Sequence, residues 1–161
     1  MTRQAPLEPE TTRAVIPIDT FTTVAISCIV AGGFIAAVTG PLDLEHGSWL
    51  AAYLVLVGGV ATAAIGVAQQ HLPAAPPDPA QVRLELLCLC LGNAAVILGT
   101  LVTSPLLVDA GGIILGVGLA IAFVLVRGAP DHRRLTIAYR CLLGFVVVSI
   151  PVGLVLAHMR A

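Results

Sequence analysis

The stretch HGSWLAAYLVLVGGVATAAIGVAQQHLPAAPP, residues 46–77, contains no charged residue. Bounded by Glu45 and Asp78, its 32 residues are enough for one helical crossing of a bilayer, because roughly 20 residues at 1.5 Å each span an apolar core of ~30 Å. Two crossings and a turn need more. The polar group Gln69, Gln70 and His71, followed by Pro73, already reads as an exit from the apolar phase.

The same reading extends in both directions along the chain. Uncharged stretches at 20–42, 86–108, 110–126 and 141–159 contain 23, 23, 17 and 19 residues, and each supplies one crossing. The composition agrees, with 58% hydrophobic and 11% charged residues and a mean hydropathy of +1.00. That is too little charge to cover a water-soluble domain. The 161 residues allow a single domain and exclude a multidomain enzyme. A net charge of -1 without any extended basic run leaves no electrostatic footprint for nucleic acid.

The apolar runs lack the strict alternation that a membrane barrel requires, whereas a helix pairs its backbone groups within one segment. The expected fold is therefore an all-α integral membrane bundle of five transmembrane helices, at about 20–40, 48–70, 82–103, 109–127 and 135–158. Residues 20–161 form this domain, and 1–19 read as a disordered cytoplasmic tail with Pro6, Pro9 and Pro17. A cleaved signal peptide fits poorly, because its leading region would carry Glu8, Glu10 and Asp19 and no A-x-A site follows the first apolar run. Residues 73–79, with four prolines, read as a linker between a two-span hairpin and a three-span unit.

All eight basic residues are arginines, so the positive-inside rule applies with one residue type. With the N-terminus inside, Arg3, Arg13, Arg83, Arg127, Arg133, Arg134 and Arg140 fall on the cytoplasmic side and only Arg160 on the other. An N-in/C-out topology is expected. Abundant Ala, Gly, Val and Leu with Arg but no Lys suits a GC-rich bacterial genome, and hence a multi-pass protein of the bacterial plasma (inner) membrane.

Helices in lipid associate through close packing and interhelical hydrogen bonds. Small residues recur at four-residue spacing in Gly32/Ala36, Gly33/Ala37, Gly59/Ala63, Ala95/Gly99 and Gly112/Gly116/Ala120, which read as packing stripes. The glycine-rich fourth span is expected at the centre. Pro151 in the fifth span removes the hydrogen bond to the Val147 carbonyl and predicts a kink.

Ionisable groups inside a membrane are functional suspects by default. Glu85 and Arg140 stand at similar levels of the third and fifth spans, and the expected arrangement is an interfacial, structural ion pair with Arg140 snorkelling. Asn93, an amide well inside a span, is expected to tie helices together. Cys28, Cys88, Cys90 and Cys141 read as small buried hydrophobes: Cys88 and Cys90 lie about 200° apart around a helix and cannot enter one tetrahedral site. Trp49 and Tyr53 read as interfacial anchors, while His71 and His132 read as solvated loop residues. His46 and His158 fall at the outer face, where imidazoles facing one another from two helices can hold haem iron or copper.

The second span, from His46-Gly47-Ser48-Trp49 to Gly66, Gln70, Leu72 and Pro73, resembles one helix of the haem-copper-oxidase-like and NnrS-like bacterial membrane proteins, in which a helix opened by histidine ends in a Gly, Gln, Leu, Pro pattern. Tyr53 stands where the family histidine falls. The resemblance covers about one sixth of the chain and implies haem or metal ligation by His46. Three functional expectations follow. The first is a non-catalytic accessory or assembly subunit of a membrane complex, acting in the lipid bilayer through contacts with a membrane-protein partner or as a homo-oligomer. The second is a haem- or copper-binding membrane protein using His46 and His158. The third is a small transporter or a pore built between subunits.

Overall fold

The computed structural model describes residues 19–73, 77–126 and 133–160, with side chains at 20–73, 77–126 and 134–151. Residues 1–18 of the expected tail, linker residues 74–76, Arg127, His132 and the side chains of Asp19, Arg133, His158 and Arg160 lie outside that description, and Asp19, expected in the tail, opens the first helix.

Five helices follow one another: α1 (Asp19–Thr39), α2 (Gly47–His71), α3 (Pro79–Leu101), α4 (Pro105–Leu125) and α5 (Arg133–Arg160). Each contains a segment long and apolar enough to cross a membrane, and no strand occurs among the described residues. This fits a multi-pass membrane protein.

Helix starts fall earlier than charge position alone predicts. Asp78 caps α3 by accepting the Ala80 N–H at 3.1 Å, and Pro79 occupies the first turn, where its missing N–H is harmless. Pro105 likewise opens α4. Asp109 therefore lies just inside the helix, near the positive end of its dipole, rather than marking its beginning.

The ends of α1 and α3 share one device. The N–H of Ser104 reaches back to the Gly99 carbonyl at 2.8 Å and that of Thr103 to Thr100 at 3.3 Å. Leu44 and Asp43 repeat the pattern with Thr39 and Gly40, at 3.1 and 3.3 Å. Both are Schellman closures, with Thr103 (φ 51°) and Asp43 (φ 48°) in the left-handed position that glycine usually fills.

Two antiparallel hairpins organise the bundle, α1 on α2 and α3 on α4, with α5 laid against α4 and touching α2. The most buried helices are α2 and α4, each 39% buried over its apolar window against 17–22% for the others. The expected central position of the fourth span is thus shared with the second.

The seam between α3 and α4 follows a heptad pattern. Buried positions on α3 are Val82, Glu85, Leu89, Gly92 and Gly99, and they face Val108, Gly111, Leu115, Gly118 and Ala122 on α4. Alternating steps of three and four residues keep one stripe turned to the partner. Glycines seven residues apart on both helices bring the backbones together: a Cβ on Gly92, Gly99 or Gly111 would lie 2.7 Å from a backbone nitrogen of the facing helix. The four-residue stripe on α4 is not this seam, because Gly116 has nothing within 4 Å of a Cβ position and Ala120 is exposed. On α1, Gly32 does face α2, against Val55 and Ala51, whereas Gly33 faces open space.

Helix α2 is not uniform. Residues Leu54–Ala61 wind as a π-helix between two α-helical segments, and its glycines Gly58 and Gly59 press on Cys28 and Ile29 of α1. Further along, Gly66 receives Phe21. Helix α5 runs on through Pro151.

Candidate functional site

Three features bring polar groups or free volume into the apolar interior. The first lies towards the end of the bundle where α1 begins. Glu85 is 0% exposed on the α3 seam, and its Oε2 accepts a hydrogen bond from Nε2 of Gln69, near the end of α2. No described group bonds Oε1. Nearby in the core, the Tyr139 hydroxyl on α5 donates to the Ala122 carbonyl of α4 at 3.1 Å.

Glu85 and Arg140 do not form the expected ion pair. Arg140 is exposed and its guanidinium sits 5.6 Å from the centre of the Phe123 ring. The two residues are at similar levels, but Glu85 points along the seam towards α2 while Arg140 lies on the outside of α5. Depth was readable from sequence; facing was not.

The second feature lies deeper. The Tyr53 hydroxyl donates to Oδ1 of Asn93 at 2.8 Å, and the Asn93 amide donates to the Leu89 carbonyl at 2.8 Å. Asn93 thereby links α3 to α2. Tyr53 stacks on Trp49 with ring centres 5.2 Å apart, yet its hydroxyl is turned inward rather than to an interface. Trp49 is the exposed member.

The third feature is a cavity of about 500 Å³ between α2, α3, α4 and α5, partly open to the surroundings. His46, Thr103 and Ser104 line its end near the starts of α2 and α4, Trp49 and Tyr53 its wall, and Leu115 and Val146 the end towards the middle of the bundle. Two wall hydroxyls are already engaged: Thr100 donates to Val96 at 2.8 Å and Ser149 to Val146 at 2.7 Å. The deeper lining is therefore apolar in effect. The sequence signal for the cavity was weak, namely small side chains where α2 passes α4 and α5.

His46 is half-buried at this end of the cavity. Among the described residues no group of three or more His, Cys, Asp and Glu is placed to hold a metal ion. The four cysteines are free; Cys28, Cys88 and Cys90 are half-buried and Cys141 is exposed, so Cys141 does not occupy the buried position expected of it. His71 is exposed, with Nδ1 2.9 Å from the Val67 carbonyl.

No protein-family model matches the chain, and no curated protein or solved structure is significantly similar to it.

Proposed function

We propose that this chain is a multi-pass protein of the bacterial plasma membrane with N-in/C-out topology, acting without catalysis as an accessory or assembly subunit through helix contacts within the bilayer. The observation that supports this is a division among its glycines. One set closes the internal hairpins, while Gly33, Gly116 and Gly144 face open space among exposed apolar side chains such as Val30, Phe34, Ile113 and Phe145. An exterior glycine weakens its helix by ~0.8–1.0 kcal/mol relative to alanine and contributes nothing to internal packing. A neighbouring helix backbone approaching that face uses it.

The test is affinity purification of the tagged chain in mild detergent. A stoichiometric membrane partner or a defined homo-oligomer is expected, lost in Gly33→Ile or Gly116→Ile while the helical content stays unchanged. A monomer with no companion, unaffected by either substitution, overturns the proposal. The topology has its own check: an impermeant thiol reagent should label Glu45→Cys in intact cells and Gln81→Cys only after permeabilisation.

A second reading, haem or copper held by His46 and His158, is favoured by the place of His46 in the lining of the cavity. A Soret band or one copper per chain in the purified protein, abolished by His46→Ala, supports it; colourless, metal-free protein removes it.

A further inference from the structure

The cavity among α2, α3, α4 and α5 has a length, a polarity gradient and a charge setting that together define a class of ligand. It runs along α4 from Pro105 to Leu115 and along α2 from His46 to Ala61. At 1.5 Å per residue the α4 side is roughly 15 Å long, the depth of one leaflet of a ~30 Å hydrocarbon core; the α2 side is part α-helical and part π-helical. Its volume of about 500 Å³ falls in the ~300–1,000 Å³ range of small-molecule sites. The free polar groups lie at the end lined by His46, Thr103 and Ser104, because the hydroxyls of Thr100 and Ser149 are bonded to their own helices.

Charge narrows the class further. The charged side chains described towards that end are Asp43, Glu45 and Asp109, all acidic, and Arg160 closes α5 on the same side, whereas Arg83, Arg134 and Arg140 belong to the opposite end. A phosphate head would meet three like charges against the single positive charge of Arg160. A neutral carbonyl or hydroxyl head meets no such penalty and finds hydrogen-bonding partners in His46, Thr103 and Ser104.

We propose that this cavity is a binding site for a neutral lipid with a single long hydrocarbon chain, its chain lying along α4 towards Leu115 and its carbonyl or hydroxyl head at His46. Long-chain monoacylglycerols and lipid quinones share that chemistry. The site needs no protein partner and is separable from the accessory role.

The full chain, delipidated in a mild detergent, is titrated with monoolein, with decylubiquinone and, as the charged competitor, with oleoyl lysophosphatidylglycerol. Adducts are counted by native mass spectrometry, and binding is followed through Trp49, the single tryptophan and part of the cavity wall. Saturable binding of one monoolein or decylubiquinone per chain is expected, with the tighter of the two naming the source. The anionic lipid is expected to bind at least about tenfold more weakly. Ser149→Phe and Val60→Phe, on two different walls, should each weaken the neutral ligand by a similar factor, while Ile113→Phe on the exterior should not. Absence of a one-to-one adduct, equal or tighter binding of the anionic lipid, or an equal loss in Ile113→Phe overturns the proposal. Two independent wall variants keep it testable if one fails to fold.

Discussion

Gly92→Ala and Gly116→Ala are the same chemical change on two packed helices, and they should have opposite consequences. A Cβ on Gly92 would lie 2.7 Å from the backbone nitrogen of Leu115 and 2.9 Å from its Cα, whereas ordinary contact begins at 3.4 Å. Backbone atoms cannot rotate aside, so α3 and α4 must part along the seam that carries most of their mutual packing. Overpacking costs ~1–3 kcal/mol. A gap of even ~0.5–1 Å forfeits a quarter to a half of each affected dispersion contact, which places Gly92→Ala towards the upper part of that range. At Gly116 nothing lies within 4 Å, and alanine gains up to ~1 kcal/mol of helix propensity, less where the unfolded state keeps its helices. The two variants should therefore differ by roughly 2–3 kcal/mol. Reversible unfolding in mixed micelles with increasing dodecyl sulfate, followed by Trp49 fluorescence, measures this. Gly92→Ala as stable as the parent, or Gly116→Ala equally damaging, refutes the heptad seam.

Thr103→Gly should stabilise the chain by about 1 kcal/mol, seen as a raised Tm, because it relieves the left-handed backbone at φ 51° without disturbing the closure of α3. Tyr53→Phe removes the donor to Asn93 and should cost ~0.6 kcal/mol, the average for hydrogen bonds between membrane helices, in the same unfolding assay. Glu85→Gln and Arg140→Ala should add within about 0.5 kcal/mol in a double-mutant cycle, since Glu85 bonds Gln69 and Arg140 lies on Phe123. A clear coupling between them would restore the ion pair expected from sequence.

The number and order of helices were legible because their cause is local. An uncharged run near 20 residues long needs no partner to declare itself, and all five such runs became helices. Their starts were legible only approximately: the charge boundary at Asp109 hid the stronger signal of Pro105 four residues earlier. What failed were statements about facing. A stripe such as Gly112/Gly116/Ala120 specifies a side of a helix but not which neighbour meets it, and the α3–α4 pair chose the seven-residue glycine spacing instead. For the same reason Glu85 and Arg140 were matched by depth and separated by rotation. The cavity is further removed from sequence, since it is the volume left where four helices diverge.

The π-helical stretch in α2 accounts for one helix supplying two polar contacts to α3. Tyr53, which bonds Asn93, and Gln69, which bonds Glu85, would stand about 160° apart on an uninterrupted α-helix at 3.6 residues per turn. A π-turn accommodates about one extra residue, or ~100° of rotation, and brings the two to within roughly 60° of each other. The Thr62 hydroxyl supports the widened turn by donating to the Val57 carbonyl five residues back, at 3.4 Å. Deleting Val60, which is 45% exposed, should remove the widened turn yet keep Gln69 on Glu85, since 15 residues of plain α-helix also leave it about 60° from Tyr53. Inserting one alanine between Ala63 and Ala64, both half-buried, should instead turn everything beyond by ~100° and swing Gln69 off Glu85. The buried carboxyl then loses the one hydrogen bond it receives, at ~1–3 kcal/mol or more, and the close packing of Gly66 on Phe21 is lost with it. Adding Glu85→Leu to the insertion should return part of this, because an apolar side chain does not miss the amide. The coupling expected in dodecyl sulfate unfolding is at least ~1 kcal/mol. If the insertion and Glu85→Leu are simply additive, the π-turn does not serve to aim Gln69, and the polar contact at Glu85 does not depend on how α2 is wound.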